Sequence, residues 1–291
     1  MSAAWLLDHA PYAPFTEMRT AHPPGLSPLE PADWFRRDAD FAAQMARREA
    51  LLAEVPGRVI AATPHCRSLS RLYEIVLAHL AETPGYRVAG EIAQRPDGVD
   101  VPLRSDRPLH TLGRLIAEDL CLMEQAAAGE EYRLAAAVLC FPSRWLLSEK
   151  LGRVLTDIHV PVPDYDDTLA RRVNRVFETV RAERPLVRVN WLVHLVAELH
   201  LPLGHSDKLI AETDPTGPLY LRTERQTLTR IAPGAVVFGI KTSICPLDAL
   251  TRQQAQALRR ELARLDPQTI AYRTGGMAHD VALSRLETLA A

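Results

Sequence analysis

The sequence predicts an α+β fold, a mostly antiparallel sheet flanked by helices. Three observations predict it. Apolar residues recur at helical spacing through the first third of the chain. Short apolar runs bounded by turn residues then dominate the middle, and two of them are joined by Pro233-Gly234 as a hairpin. Helical spacing returns at the end. Grouped rather than alternating elements argue against a doubly wound parallel sheet. The chain has 291 residues, 47% of them hydrophobic, enough for a substantial core.

The elements follow in order. Residues 1–35, rich in proline and turn residues from residue 10 onward, read as an extended arm over a single domain of residues 36–291. Asp38 to Glu54 is expected to be helical, with Phe41, Met45, Leu51 and Leu52 inward, and Pro56-Gly57 ends it. Leu69, Leu72, Val76 and Leu80 mark a second helix, stopped by Pro84-Gly85. Asp106 is the expected cap of a third, on which Leu109, Leu112, Ile116, Leu120 and Met123 form one stripe. Tyr132 to Phe141 and Leu186 to Leu195 read as strands, separated by a helix from Thr168 to Ala182 with Leu169, Val173, Val176 and Val180 inward. Leu219–Ile231 and Ala235–Ile244 form the expected hairpin. Helices near Leu250–Leu265 and His279–Leu289 close the chain.

Composition excludes several functions. The net charge is −2 and no block of like charge occurs, so neither nucleic acid nor an anionic membrane surface is an expected partner. Cys66, Cys121, Cys140 and Cys245 are scattered, with no pair spaced for zinc, redox chemistry or covalent haem. The start of the chain lacks the pattern of a signal peptide, and no apolar run is long enough to span a bilayer. A cytoplasmic protein is the expectation. Without a Gly-x-Gly-x-x-Gly or Walker loop, no tightly bound dinucleotide or NTP is expected.

Two stretches carry candidate chemistry. His159 lies in Ile158-His-Val-Pro-Val-Pro163, where Pro161 and Pro163 stiffen the backbone and give the imidazole a fixed direction, as an axial metal ligand requires. The plain alternative is a histidine bonded to a turn carbonyl. The second stretch is Leu221–Arg230. On a strand, Arg222, Glu224 and Gln226 share one face and Thr223, Arg225 and Thr227 the other. A charged row on an internal strand is costly unless it is paired or faces a cavity; the alternative is a solvent-facing ladder of ion pairs. In Arg188-Val-Asn-Trp191, Trp191 points inward, with Arg188 and Asn190 opposite. His194, His200 and His205 raise a zinc alternative, although their spacing matches no common ligand frame.

At these residues the chain resembles the family of haem-dependent oxidative N-demethylases, alpha-subunit-like, from about Pro14 to Gly276. The resemblance rests on Gly25-Leu-Ser-Pro-Leu-Glu-Pro-Ala-Asp-Trp34, Ala117-Glu-Asp-Leu120, Phe141-Pro-Ser-x-Trp145, Lys150-Leu-Gly152, Ile158-His-x-Pro-Val-Pro163, Arg188-x-Asn-Trp191 and Arg222-x-Glu-Arg-Gln-Thr227. It implies a PAS-like sheet holding haem b. It also implies oxygen-dependent demethylation of a small secondary amine such as dimethylamine, with electrons from flavin and iron–sulfur reductase subunits. It makes His159 the expected proximal ligand, with Trp145, Lys150 and Arg188 as further cofactor contacts. Arg222, Glu224 and Arg225 become candidates for contacts to oxygen, amine and propionate. His110 departs from the acidic residue expected there and supplies a competing histidine. Two other functions remain open: a PAS-like haem sensor without turnover, and a non-haem metal hydrolase using His194, His200 and His205.

Overall fold

The computed structural model describes residues 3–17, 25–159, 167–203, 217–274 and 277–291. Its strands are β1 (Ser27–Pro28), β2 (Ile60–Ala62), β3 (Arg87–Ala89), β4 (Ile92–Gln94), β5 (Asp100–Pro102), β6 (Asp119–Glu124), β7 (Arg133–Val138), β8 (Leu186–His194), β9 (Tyr220–Ala232) and β10 (Ala235–Pro246). Seven of them form one sheet in the order β1-β8-β9-β10-β6-β7-β2, and β3, β4 and β5 form a small separate sheet. Neighbouring strands pair antiparallel throughout both sheets. The α+β expectation is therefore met.

Helices flank the sheet: α1 (Phe41–Glu54), α2 (Pro56–Val59), α3 (Leu69–Ala81), α4 (Pro108–Leu115), α5 (Leu147–Lys150), α6 (Leu155–His159), α7 (Asp167–Thr179), α8 (Arg252–Leu262), α9 (Pro267–Arg273) and α10 (Met277–Ala290). Thr251 starts α8 with a capping box shared with Gln254, which satisfies donors the first turn leaves open. Among the described residues no helix is long and apolar enough to cross a membrane.

The β9–β10 hairpin forms as expected, closed by Gly234 at φ 68°, a left-handed conformation glycine adopts without steric cost. The stripe from Leu109 to Met123 is not one helix. α4 stops at Leu115, and Leu120 and Met123 belong to β6. β6 is buried along its whole length, and a strand covered on both faces gives a continuous apolar run that fits either periodicity. Asp106 is not the cap of α4, because Arg104 holds its carboxylate, and Pro108 opens the helix instead. The three-residue strands of the small sheet and the helix α9 were not expected from the sequence.

Alternation separates the two faces of the large sheet. Leu120, Leu122, Ala136, Val138 and Val237 face α1, α3 and α4 in one core cluster. Trp191, Val193, Leu221 and Cys245 continue that parity under α8 and α10. Cys121, Met123, Ala137, Leu228, Val236 and Phe238 form the opposite cluster, with Leu147, Leu155, Phe177 and Val180 packed on it. Arg230 belongs to this second face and donates to the carbonyls of Phe177, Glu178 and Val180. A cation at those unpaired carbonyls complements the helix dipole and fixes α7 against the sheet.

The interior buries several charges as pairs, as a low-dielectric environment requires. Arg48 meets Asp119 at 2.6 Å, and Lys241 meets Asp40 at 3.0 Å. Glu118 accepts a hydrogen bond from Arg36 N at 2.7 Å, while its other oxygen has no partner. Arg225 donates to the carbonyls of Asp33 and Trp34. Those two contacts fasten the Pro31–Asp33 turn to the sheet.

Candidate functional site

β9 is an internal strand, and its charged row is buried. Arg222 is fully buried and Glu224 is 8% exposed, so the row is not a solvent-facing ladder. Glu224 is held by three donors on its own face. Arg222 Nε reaches Oε1 at 3.3 Å, Gln226 Nε2 reaches Oε2 at 3.2 Å, and Asn190 Nδ2 reaches Oε2 at 3.5 Å. The register explains the set, because Asn190 on β8 lies directly opposite Glu224. A carboxylate oxygen has two lone pairs, so Glu224 keeps acceptor capacity for another donor.

Arg222 spends its donors on the protein. Besides Glu224 it bonds the carbonyls of Glu198 and Leu199 through Nη1, and Phe141 O and Thr242 Oγ1 through Nη2. A guanidinium has five N–H groups, and these contacts engage all of them. Arg225 lies on the opposite face with the Pro31–Asp33 turn. Strand alternation thus divides the charged residues of β9 as expected.

The segment before Trp145 is pinned from several sides. Asp119 accepts from Cys140 N and Phe141 N at 2.7 and 2.8 Å. His200 Nδ1 donates to Cys140 O, and Leu201 O accepts from Arg144 N. Arg144 has φ 61°, the only non-glycine positive φ among the described residues. Its Nη2 donates to the carbonyl of Tyr272 on α9. Next along that helix, Arg273 bonds Trp191 O and lies 4.4 Å from the Trp191 ring centroid, which holds α9 to β8. Tyr272 is in electrostatic contact with Glu224, Arg144 and Arg188, and burial chiefly raises its pKa, so the phenol keeps its proton.

His159 ends α6. The sequence places it in a proline-stiffened turn, but Pro161 and Pro163 lie outside the described residues. The helix itself orients the ring: Nδ1 is 2.8 Å from Leu155 O. Glu131 accepts from Thr156 N and Oγ1 at the start of α6 and from Asn174 of α7. Lys150 Nζ donates to Ile158 O at the other end. Burial lowers the His159 pKa, with Arg188 and Lys150 adding to the effect. Trp145 and Ile158 pack partly buried against the apolar cluster on this face. The structure therefore brings His159, Trp145, Lys150, Arg188, Arg222 and Glu224 to one side of the sheet and leaves Arg225 on the other.

The family described as haem-dependent oxidative N-demethylase, alpha subunit-like, matches residues 25–283. The chain belongs to this family. No curated protein matches it. The role named by the N-demethylase family is thereby assigned in general terms, with haem as the cofactor class. The residues around His159 fit that group. A carbonyl only accepts, so the Leu155 contact puts the proton on Nδ1 and the lone pair on Nε2, the tautomer an iron ligand needs. The neutral ring, apolar packing and nearby Arg188 suit a flat apolar cofactor with acidic side chains.

The competing His110 is placed elsewhere. His110 sits on α4, which packs with α1 and α3. His205 lies outside the described residues, and among the described ones no cluster of three metal-ligating side chains occurs. Sequence reasoning placed Gln226 on this face, considered His194 only for zinc, and missed Arg144 and Tyr272. Strand parity was the available signal for His194. No local pattern marks Tyr272, whose partners are distant in sequence.

Proposed function

We propose that the protein is a haem-dependent, oxygen-using oxidative N-demethylase acting on a small secondary amine of the dimethylamine kind. The observation that carries this reading is the 2.8 Å hydrogen bond from His159 Nδ1 to Leu155 O, in a helix packed on the side of the sheet that also holds Glu224. His159 is the proximal ligand of haem b in a PAS-like domain of residues 36–291, with residues 1–35 as an arm. Trp145 walls the cofactor, Lys150 holds the end of α6, and Arg188 pairs with a propionate.

Glu224 receives the ammonium and orients the amine so that one methyl group faces the cofactor. Arg222 holds Glu224 and the 198–199 backbone, so it is a positioning residue and not an oxygen contact. Arg225 acts from the far face by fixing the arm. When bound, haem supplies oxygen activation: the methyl carbon leaves as formaldehyde and the primary amine is released, while O2, two electrons and two protons provide the formaldehyde oxygen and a water. The electrons come from flavin and iron–sulfur reductase subunits in the cytoplasm.

Absorption spectroscopy of the purified protein tests this. A Soret band that is lost or shifted in His159→Ala supports the ligand assignment, and an unchanged spectrum removes it. A dimethylamine-induced spectral change that is absent in Glu224→Gln supports the amine site. Haem binding with no amine response and no formaldehyde points to a sensor instead.

A further inference from the structure

The polar groups on the site face extend well beyond what a three-heavy-atom amine can contact. Glu224 and its donors mark one end. His194 marks the other: it lies opposite Tyr220, four residues along β9 from Glu224, about 13 Å at the rise of a strand. His194 is 7% exposed and its Nε2 has no hydrogen-bond partner. Burial, with Arg222 and Arg144 nearby, holds its pKa well below the ordinary value. Native proteins rarely leave such an atom unsatisfied unless a ligand or water completes it.

Arg144 is in electrostatic contact with both ends, His194 and Glu224. Its left-handed backbone is unfavourable for a residue with a Cβ, a kind of strain that concentrates at ligand sites. The surrounding anchors hold it there: Arg144 N on Leu201 O, and Nη2 on Tyr272 O. Apart from that contact its guanidinium makes no hydrogen bond among the described residues, unlike the saturated Arg222. The Tyr272 phenol is in electrostatic contact with Arg144 and Glu224, and burial keeps its proton in place. A guanidinium and a phenol next to a carboxylate form a complementary pair of subsites, one for an anion and one for a cation.

We propose that the site takes a secondary amine that also carries a carboxylate, an N-methylated amino acid, with its ammonium on Glu224 and its carboxylate on Arg144 and Tyr272. This rests on the amine-demethylase reading and narrows its substrate class. Glu224 alone would accept any small ammonium. Arg144 and Tyr272 add discrimination, because an amine lacking the carboxylate leaves their donors unpaired.

The test titrates haem-loaded protein with dimethylamine, N-methylglycine and 4-(methylamino)butanoate. Binding is followed by absorption change and by the shift in melting temperature. At least one of the two carboxylated amines is expected to bind tenfold or more tightly than dimethylamine. In Arg144→Asn, whose side chain tolerates a left-handed backbone, that ratio falls toward one. Tyr272→Phe keeps the carbonyl that Arg144 uses and lowers the ratio several-fold. A wild-type preference for dimethylamine overturns the proposal, as does an unchanged ratio in both variants. The latter, with an altered Soret band, would assign Arg144 to the cofactor. A response to none of the three amines removes the demethylase reading itself.

Discussion

Arg222 Nε lies 3.3 Å from Glu224 Oε1, and both residues are deeply buried two positions apart on one strand. The pair is a device for placing a carboxylate. The guanidinium is fixed by carbonyls from two separate chain segments, so Glu224 inherits its position from the loops as well as from β9.

Replacing Arg222 by Met should therefore be severe. It removes the nearest cation from a buried carboxylate and leaves the carbonyls of Phe141, Glu198 and Leu199 without donors. A loss of about 3–5 kcal/mol is expected, read from chemical denaturation. A loss under about 1 kcal/mol would contradict this placing role.

Arg225→Leu should act on the Pro31–Asp33 turn and not on the face that holds Glu224. The carbonyls of Asp33 and Trp34 lose their donors, at a cost of about 1–3 kcal/mol. Limited proteolysis should cut faster near residues 25–40, while the absorption spectrum keeps its shape.

His194 should make the protein acid-sensitive. Its folded pKa lies well below the ordinary 6.5. Just below pH 6.5 the unfolded chain binds a proton that the native state refuses, so stability falls as pH drops through that value. His159 and His200 shift in the same direction. A His194→Asn variant should show a shallower loss between pH 7 and 5 in denaturation measured across that range.

Glu118 should act with the opposite sign. Burial raises its pKa from 4.5 to about 7. Between these values the native state binds more protons than the unfolded chain, so its contribution is fully present below pH 4.5 and is lost as pH rises through 7. Glu118→Gln retains an acceptor for Arg36 N and removes the charge. It should gain about 1–3 kcal/mol over wild type at pH 8 and nothing near pH 4. Equal stabilities at both pH values would refute the assignment.

Much of this arrangement was legible in the chain. The alternation of Arg222, Glu224 and Arg225 divides them between faces in the sequence as it does in the structure, because a two-residue period is fixed by backbone geometry. His159 was singled out for its prolines, whereas the group that orients its ring is a carbonyl one helical turn earlier. Leu120 and Met123 misled because double-sided burial erases the period that separates strand from helix. Tyr272 was invisible because it reaches the site only when α9 docks on β8. Arg222 looked like a reactive group, and only its three-dimensional partners reveal that its donors are already engaged.

The fastenings on β9 also bear on how this protein can diversify. Arg222, Glu224, Arg225 and Arg230 each tie the strand to a different neighbour, so a one-residue slip would undo all four attachments together. The strand is thus conservative ground. Arg144 and Tyr272 end in the same site but stand on a loop and a short helix whose backbones are anchored by other residues. Lineages that change their preferred amine should do so first at those two positions, altering what is bound without reopening the question of how the chain folds.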